Sequence, residues 1–243
     1  MLTQKAMLFD NLENLSSPIE VIEPKYMEEI GQDFGYLLYR TEIKGPKDEM
    51  KLDIDVLHDR AQIWVDQEKR ATWERWDKQA IRNHPIKIHP KSHESCQVDI
   101  LVENMGRVNF GHKLRDRKGI HGVRFEYQHH FGWQMFPLTM TDLSPLAYKS
   151  CEDTAIEGPV FLKGILSIDT SPADTFIRLD GFTKGFVTVN GHNVGRYFNP
   201  AGPQKTLYIP APFLKEGDNE IIVFESDLTQ SPCVEFFDTT DIG

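Results

Sequence analysis

Three cysteines in 243 residues, Cys96, Cys151 and Cys233, are too few and too scattered for a disulfide framework or a zinc site. They read as free thiols of a reducing compartment. Long apolar runs are also missing: no stretch approaches the length of a membrane span. The start, Met1-Leu2-Thr3-Gln4-Lys5, lacks the apolar core of a secretory signal, so a cytoplasmic location with no membrane partner is the expectation. Positive charge is scarce, with 27 Lys and Arg against 37 Asp and Glu and a net charge of −10. Without a basic face or a polybasic block, neither a nucleic acid nor an anionic lipid surface is an expected partner. Helical periodicity is confined to Pro24–Ile30, which excludes an alternating βαβ architecture. No Gly-x-Ser-x-Gly elbow and no phosphate-cradling glycine loop occurs.

What the sequence does hold is a series of short β-branched or aromatic runs bounded by Gly, Pro, Asn or Asp. They are residues 34–43, 52–57, 61–65, 98–102, 160–168, 186–189, 206–209 and 221–224. Short strands at this spacing, with turn signals between them, predict an all-β sandwich fold. Two stretches repeat one unit. Ala61–Gln67 lines up with Gly185–Gly191, and about thirty residues later Asp99–Asn104 lines up with Glu220–Glu225. Pro137, Ser144 and Pro145 interrupt the pattern between the copies. The division that follows is a first jelly-roll sandwich with an N-terminal lead-in over 1–140, and a second over 141–243.

The second copy has the clearer turn chemistry. Asn190-Gly191 between apolar runs signals a type I′ hairpin, which needs positive φ at both central residues. Gly217, in Lys215–Asn219, is free to turn left-handed ahead of the Ile221–Phe224 run. That run is apolar on both faces, as a central, doubly covered strand would be. Pro210 and Pro212 mark a connection that cannot be a central strand.

These residues also carry a family likeness. Gly181-Phe182-Thr183-Lys184-Gly185, Val189–Phe198, Gly202–Pro210 and Phe213–Glu225 resemble the last β-sandwich of family 35 β-galactosidases. Met27–Arg40 is similar to the entry strand of that family's first all-β domain. Val102–Gly111 with Lys118-Gly119-Ile120 is similar to its long connecting loop, and Gly132–Leu138 to the crossing into the terminal domain. The resemblance implies two galactose-binding-like jelly rolls and an activity, hydrolysis of terminal β-galactosides, that belongs to the intact enzyme. It also implies that the catalytic barrel, an α/β barrel of about 250 residues, lies outside this sequence. No catalytic residue is carried over, because the barrel motif holding the acid/base glutamate does not occur here.

Candidate positions follow from both readings. By resemblance, Phe110 in Asn109-Phe110-Gly111 sits on a loop facing the barrel's pocket; with Asn109 it would wall the galactose site, or else anchor the loop within its own sandwich. Arg107 is read as a donor to loop carbonyls. Trp64, Trp73 and Trp76 form a candidate inter-domain or sugar-stacking set. Trp64 alternates against Ile63 and Val65 and so points away from its own core. The Arg196-Tyr197-Phe198 element is a structural motif first and a sugar contact second. Glu28-Glu29 and Asp153 with Glu157 read as solvated charges, no motif setting their pKa apart. His84, His89, His93 and His129-His130 fit no zinc spacing, so neither a metal nor a cofactor is expected. The functional expectation is a non-catalytic C-terminal portion of a β-galactosidase that braces the barrel and shapes its pocket, the alternative a free-standing carbohydrate-binding module. Its partners would be the barrel and, through the intact enzyme, galactosides. Self-association is left open, with Trp64 and Trp76 as the surface to inspect.

Overall fold

The computed structural model describes residues 1–45, 47–77, 86–88 and 95–243. It divides into two units, one of Ser16–Thr141 and one of Met1–Leu15 with Asp142–Gly243. The first fifteen residues are therefore not a lead-in to the sandwich they precede. Strand β1 (Gln4–Met7) inserts into the sheet of the C-terminal unit, antiparallel to residues 160–163, and Leu2 is buried in that unit's core.

The Ser16–Thr141 unit is two facing sheets. Its strands are β2 (Ile19–Val21), β3 (Tyr36–Lys44), β4 (Met50–His58), β5 (Arg60–Val65) and β6 (Glu68–Glu74). They continue with β7 (Ile86–Ile88), β8 (Ser95–Glu103), β9 (Gly119–Phe125), β10 (Gln128–His129) and β11 (Trp133–Leu138). A six-stranded sheet runs β2-β11-β3-β8-β5-β6 and a four-stranded sheet β10-β9-β4-β7. Alternate residues of the two sheets, among them Leu37, Tyr39, Ile63, Ile100, Leu52, Ile54 and Val123, meet in one buried core. The residues expected to be helical, Pro24–Ile30, contain one 3₁₀ turn, Met27–Ile30, with Glu29 Oε2 accepting from the Tyr26 N–H at 2.9 Å.

The C-terminal unit adds β12 (Lys149–Ser150), β13 (Ile156–Glu157), β14 (Val160–Ile168), β15 (Thr175–Arg178) and β16 (Lys184–Val189). After these come β17 (His192–Phe198), β18 (Thr206–Ile209), β19 (Gly217–Glu225), β20 (Leu228–Thr229) and β21 (Glu235–Phe237). Its main sheet runs β12-β1-β14-β19-β16-β17, a second runs β18-β15-β21, and β13 pairs with β20. Strand β19 lies between β14 and β16; Ile221 and Val223 join the core while Ile222 and Phe224 are buried on the other face. This is the doubly covered strand that its apolar run implies.

The two units repeat a four-strand order, β3-β8-β5-β6 in one and β14-β19-β16-β17 in the other. The likeness reaches single hydrogen bonds. Asp66 N–H donates to Gln97 O (2.9 Å) and Asp66 Oδ1 accepts from Gln97 N–H (2.8 Å); Asn190 does the same with Glu220, at 2.9 Å each way. Both hairpins have two-residue turns with positive φ, at Asp66-Gln67 and Asn190-Gly191. Both carry a register shift at the same place, between Ile63 and Trp64 and between Val187 and Thr188. Glu220 thus corresponds to Gln97, not to Asp99. The alignment read from sequence is two residues out, a slip that keeps every side chain on its own face.

Polar groups buried in the C-terminal unit explain why its turn motif has this sequence. The Asn219 side chain accepts from the N–H of Lys215 (2.9 Å) and from Asn190 Nδ2 (2.8 Å), and donates to the carbonyls of Lys215 (2.8 Å) and Gly217 (3.0 Å). It holds the hairpin and the Gly217 turn together. Gly185 is required for a different reason: a Cβ there would stand 1.7 Å from the carbonyl oxygen of Phe224. Tyr197, buried beside it, donates its hydroxyl to Phe224 O at 2.9 Å and lies 3.2 Å from Glu225 Oε2.

Glu225 is fully buried and accepts the N–H groups of Thr183 (2.7 Å), Lys184 (3.1 Å) and Asp227 (2.8 Å). Desolvation outweighs these donors and pushes its carboxyl up to about 7. An unfolded glutamate titrates near 4.3, so between roughly pH 4.5 and 7 the folded state holds a proton that the unfolded state has lost. The contribution is full below that window and is lost as pH rises through it, on the order of 3 kcal/mol. Denaturant melts of the wild type and Glu225→Gln across this range should diverge, the wild type losing more stability as pH rises; parallel curves would contradict the assignment.

Candidate functional site

The loop joining β8 to β9, residues 104–118, is long for a connection between paired layers and carries Asn109 and Phe110. Its start is tied to β3 and its approach. Asn104 donates its backbone N–H to Gly35 O (3.1 Å) and Nδ2 to Asp33 O (2.9 Å), and its Oδ1 accepts from Gly106 N–H (2.9 Å). Met105 N–H donates to Asp59 Oδ2 at 2.9 Å. The end of the loop reaches the same carboxylate: Lys118 Nζ donates to both oxygens of Asp59, at 2.8 and 2.7 Å, and both residues are buried. Arg75 adds a third contact, Nη1 to Asp59 Oδ1 at 2.8 Å, and its other nitrogen pairs with Asp116. That hydrogen bond from Arg75 holds the Asp116 carboxyl below the usual range. Lys118 N–H also donates to Glu28 (3.0 and 3.1 Å), to which Arg107 is ion-paired.

One buried carboxylate therefore gathers the start of the loop, its end and the strand end at Arg75. Between these ties the chain makes a single 3₁₀ turn, His112–Arg115, and its tip is left in solvent. Phe110 is 88% exposed and Asn109 is exposed beside it. Phe110 does not anchor the loop within its own sandwich; the ion pairs do that. Arg107 bonds a carboxylate, where loop carbonyls were expected. Glu28 is likewise no free surface charge, and Asp153 is paired with Lys5, whose hydrogen bond lowers its carboxyl pKa.

The three tryptophans are not one surface. Trp73 belongs to the core of its sandwich and Trp64 is buried on the opposite face of the same sheet, each only 3% exposed. The alternation that turned Trp64 outward is right, but Leu38, Leu101 and Phe136 are buried on that face too. Neither ring is open to a sugar. Trp76 alone is open, at 58%. It follows the end of β6, at the same end of the six-stranded sheet as Phe34, which precedes β3, and the loop that leaves β8 with Val108, Phe110 and Leu114. All five are exposed apolar side chains; Phe34 opens the run 34–43 but precedes β3, and neither that run nor the loop containing Val108 shows in sequence which residues lie open.

Other candidates resolve plainly. An open groove of about 560 Å³ beside the loop is lined by Asp53, Asp55, Arg75, Lys113, Asp116 and Arg124, and most of its charges are paired: Arg124 with Asp53 (2.7 Å) and Asp55 (2.5 Å), and Arg75 with Asp116. The pocket at Arg196, Phe198 and Gln204 measures about 110 Å³, below the range of ligand clefts. Buried Tyr197 is a brace of the fold. Burial pushes the Cys96 thiol up to about 12, which disarms it as a nucleophile. His84, His89 and His93 lie outside the described residues; among those described, no group of three His, Cys, Asp or Glu could hold a metal and no helix is long and apolar enough to cross a membrane.

The fold and the loop define a pair of all-β sandwiches, one of which holds an aromatic tip out on a base tied by ion pairs. Comparison with known proteins places them. The first all-β domain of β-galactosidase matches residues 24–139, and the galactose-binding domain of β-galactosidase matches residues 159–219. A β-galactosidase of Xanthomonas manihotis is 38% identical over 210 residues, which are 86% of this chain and 33% of that protein. β-Galactosidase 1 of Dictyostelium discoideum is 36% identical, over 94% of this chain and 37% of its own length. The human β-galactosidase-1-like protein 2 is 35% identical, over 97% and 37%. The chain belongs to the β-galactosidase family, and spans about a third of the length of the curated relatives it matches.

Removing one donor from a buried carboxylate leaves part of its desolvation unanswered. Lys118→Met removes one of two cations from Asp59 and leaves Arg75 and the Met105 N–H on it, so it should cost about 1.5–3 kcal/mol in urea unfolding, and Trp73→Ala about 3–5 kcal/mol from the cavity it leaves. Phe110→Ala should stay within about 0.5 kcal/mol of wild type. A Phe110 variant as damaging as Trp73→Ala would show that the ring is buried in solution.

Proposed function

We propose that this chain is the non-catalytic C-terminal portion of a β-galactosidase, bracing a catalytic barrel that the rest of the longer protein supplies. The observation that carries the reading is the loop 104–118: its base is fixed by buried ion pairs while Phe110 stands 88% exposed at its tip. A ring held out on a rigid base has been placed for a surface other than its own sandwich. In this reading Phe110 and Asn109 help wall the barrel's galactose pocket, and Phe34, Trp76 and Leu114 pack beside them. The relatives' greater length leaves room for such a barrel, and both matched domains are accessory domains in the family.

The chemistry agrees. A retaining glycosidase needs two carboxyl groups about 5 Å apart, one of them with a raised pKa and both open to substrate. The carboxyl raised to about 7 here, Glu225, is fully buried and spends its oxygens on backbone N–H groups. The proposal is tested by incubating the purified chain, free of host enzyme, with a chromogenic β-galactoside. No turnover above the uncatalysed rate is expected, and turnover that tracks the chain through purification would overturn it.

A further inference from the structure

The hairpin joining β16 to β17 turns on Asn190-Gly191, a dipeptide that occurs once in the chain. Asparagine before glycine is the pair most prone to lose its side-chain amide, because no Cβ shields the glycine nitrogen from the asparagine Cγ. Gly191 is exposed, and a Cβ built on it would meet nothing within 4 Å, so water reaches the turn freely. The structure nevertheless holds the reacting carbon in place. Asn190 Nδ2 donates to Phe213 O and to Asn219 Oδ1, each at 2.8 Å, and its Oδ1 accepts from the Glu220 N–H at 2.9 Å. Both amide donors and one oxygen lone pair are therefore occupied.

The matching hairpin of the other unit shows which of these bonds need an amide. There Asp66 takes the place of Asn190, and its Oδ1 accepts from the Gln97 N–H at 2.8 Å, as Asn190 Oδ1 does from Glu220. A carboxylate therefore fits the turn itself. It cannot supply the two Nδ2 bonds, which tie the hairpin to Phe213 and to the Asn219 network around the Gly217 turn. A carboxylate oxygen in place of Nδ2 would face two acceptors. Asn219 cannot turn its own amide round to answer it, because its Nδ2 is held by the carbonyls of Lys215 and Gly217 and its Oδ1 by the Lys215 N–H.

We propose that Asn190-Gly191 is a latent modification site, locked against succinimide formation by its bonds to Phe213, Asn219 and Glu220 and released when that corner of the unit opens. In the reaction the Gly191 nitrogen attacks Asn190 Cγ. The new N–C bond forms as the Cγ–Nδ2 bond breaks, and Nδ2 leaves as ammonia with the proton that the Gly191 nitrogen gives up. Water then opens the five-membered ring at either carbonyl, leaving an aspartate or an isoaspartate at position 190. The attack needs Cγ to swing onto the Gly191 nitrogen. All three partners lie on the segment that leads into β19 or at its start, so the hairpin must part from that segment first. The rate in the folded protein is then the rate in an open chain multiplied by the fraction open. The aspartate product keeps the turn, as Asp66 does, but loses its hold on the Gly217 turn. The inference is independent of the barrel-bracing role.

The test is incubation of the full chain at mildly alkaline pH, in buffer and in urea above its unfolding midpoint, with conversion at each asparagine followed by peptide mass mapping. In urea Asn190 should convert ahead of every other asparagine. In buffer it should convert at least roughly 30-fold more slowly than in urea. Below the midpoint its rate should climb as urea is added, because opening is required. Asn219→Ala, confirmed as folded by circular dichroism, should speed the reaction in buffer roughly 3- to 10-fold and leave the rate in urea unchanged. Asn190→Asp should fold with a lower urea midpoint than the wild type. Equal wild-type rates in buffer and urea, a rate indifferent to urea below the midpoint, or folded Asn219→Ala reacting as slowly as the wild type would each overturn the proposal. So would Asn190→Asp with an unchanged midpoint, because the two Nδ2 bonds would then hold nothing. If Asn219→Ala does not fold, the two wild-type comparisons decide the matter.

Discussion

The buried contact between Asp59 and Lys118 is the interaction on which the functional geometry depends. One carboxylate receives Lys118 from the end of the 104–118 loop, Met105 N–H from its start and Arg75 from the end of a neighbouring strand. A charge pair this deep in a protein does not contribute much net stability, because desolvating both ions offsets their attraction. What it contributes is position. An apolar pair of similar volume would fill the space but would not dictate where both ends of a fifteen-residue loop begin. With both ends fixed, the tip can hold Phe110 in solvent without collapsing onto the nearest apolar surface.

Much of the scaffold was legible in local sequence. Asn190-Gly191 and Gly217 specify left-handed backbone on steric grounds alone, and the structure has positive φ at all three. The apolar run Ile221–Phe224 implied a strand covered on both faces, because alternation had vanished there. What stayed hidden depended on pairings distant in the chain. Four residues, Gln4–Met7, are too few to show a period, so nothing local told that β1 joins β14 in the C-terminal unit. The Asp59–Lys118 contact joins residues with no shared motif. Trp64 shows both sides: alternation gave its direction, but whether that face is covered is a property of the assembled sheets.

The same distinction separates the two exposed aromatic surfaces. Phe110 could be picked out from its place in a recognisable loop, and the structure showed it to be exposed. The row of Phe176, Tyr208 and Phe237 carried no sequence signal, since each is one aromatic in an ordinary strand. Only the order β18-β15-β21 makes them neighbours.

The central claim is that the 104–118 loop is held rigid in order to meet the rest of a longer enzyme. Amide hydrogen exchange tests it most directly, measured on this chain alone and on the chain joined to the part of the Xanthomonas manihotis β-galactosidase that it does not match. In both, Met105 and Lys118 should exchange slowly, because their N–H groups are bonded to carboxylates at the base of the loop. Residues 108–114 should exchange fast in the chain alone and become protected only in the joined protein. Equal exchange of residues 108–114 in the two would contradict the account.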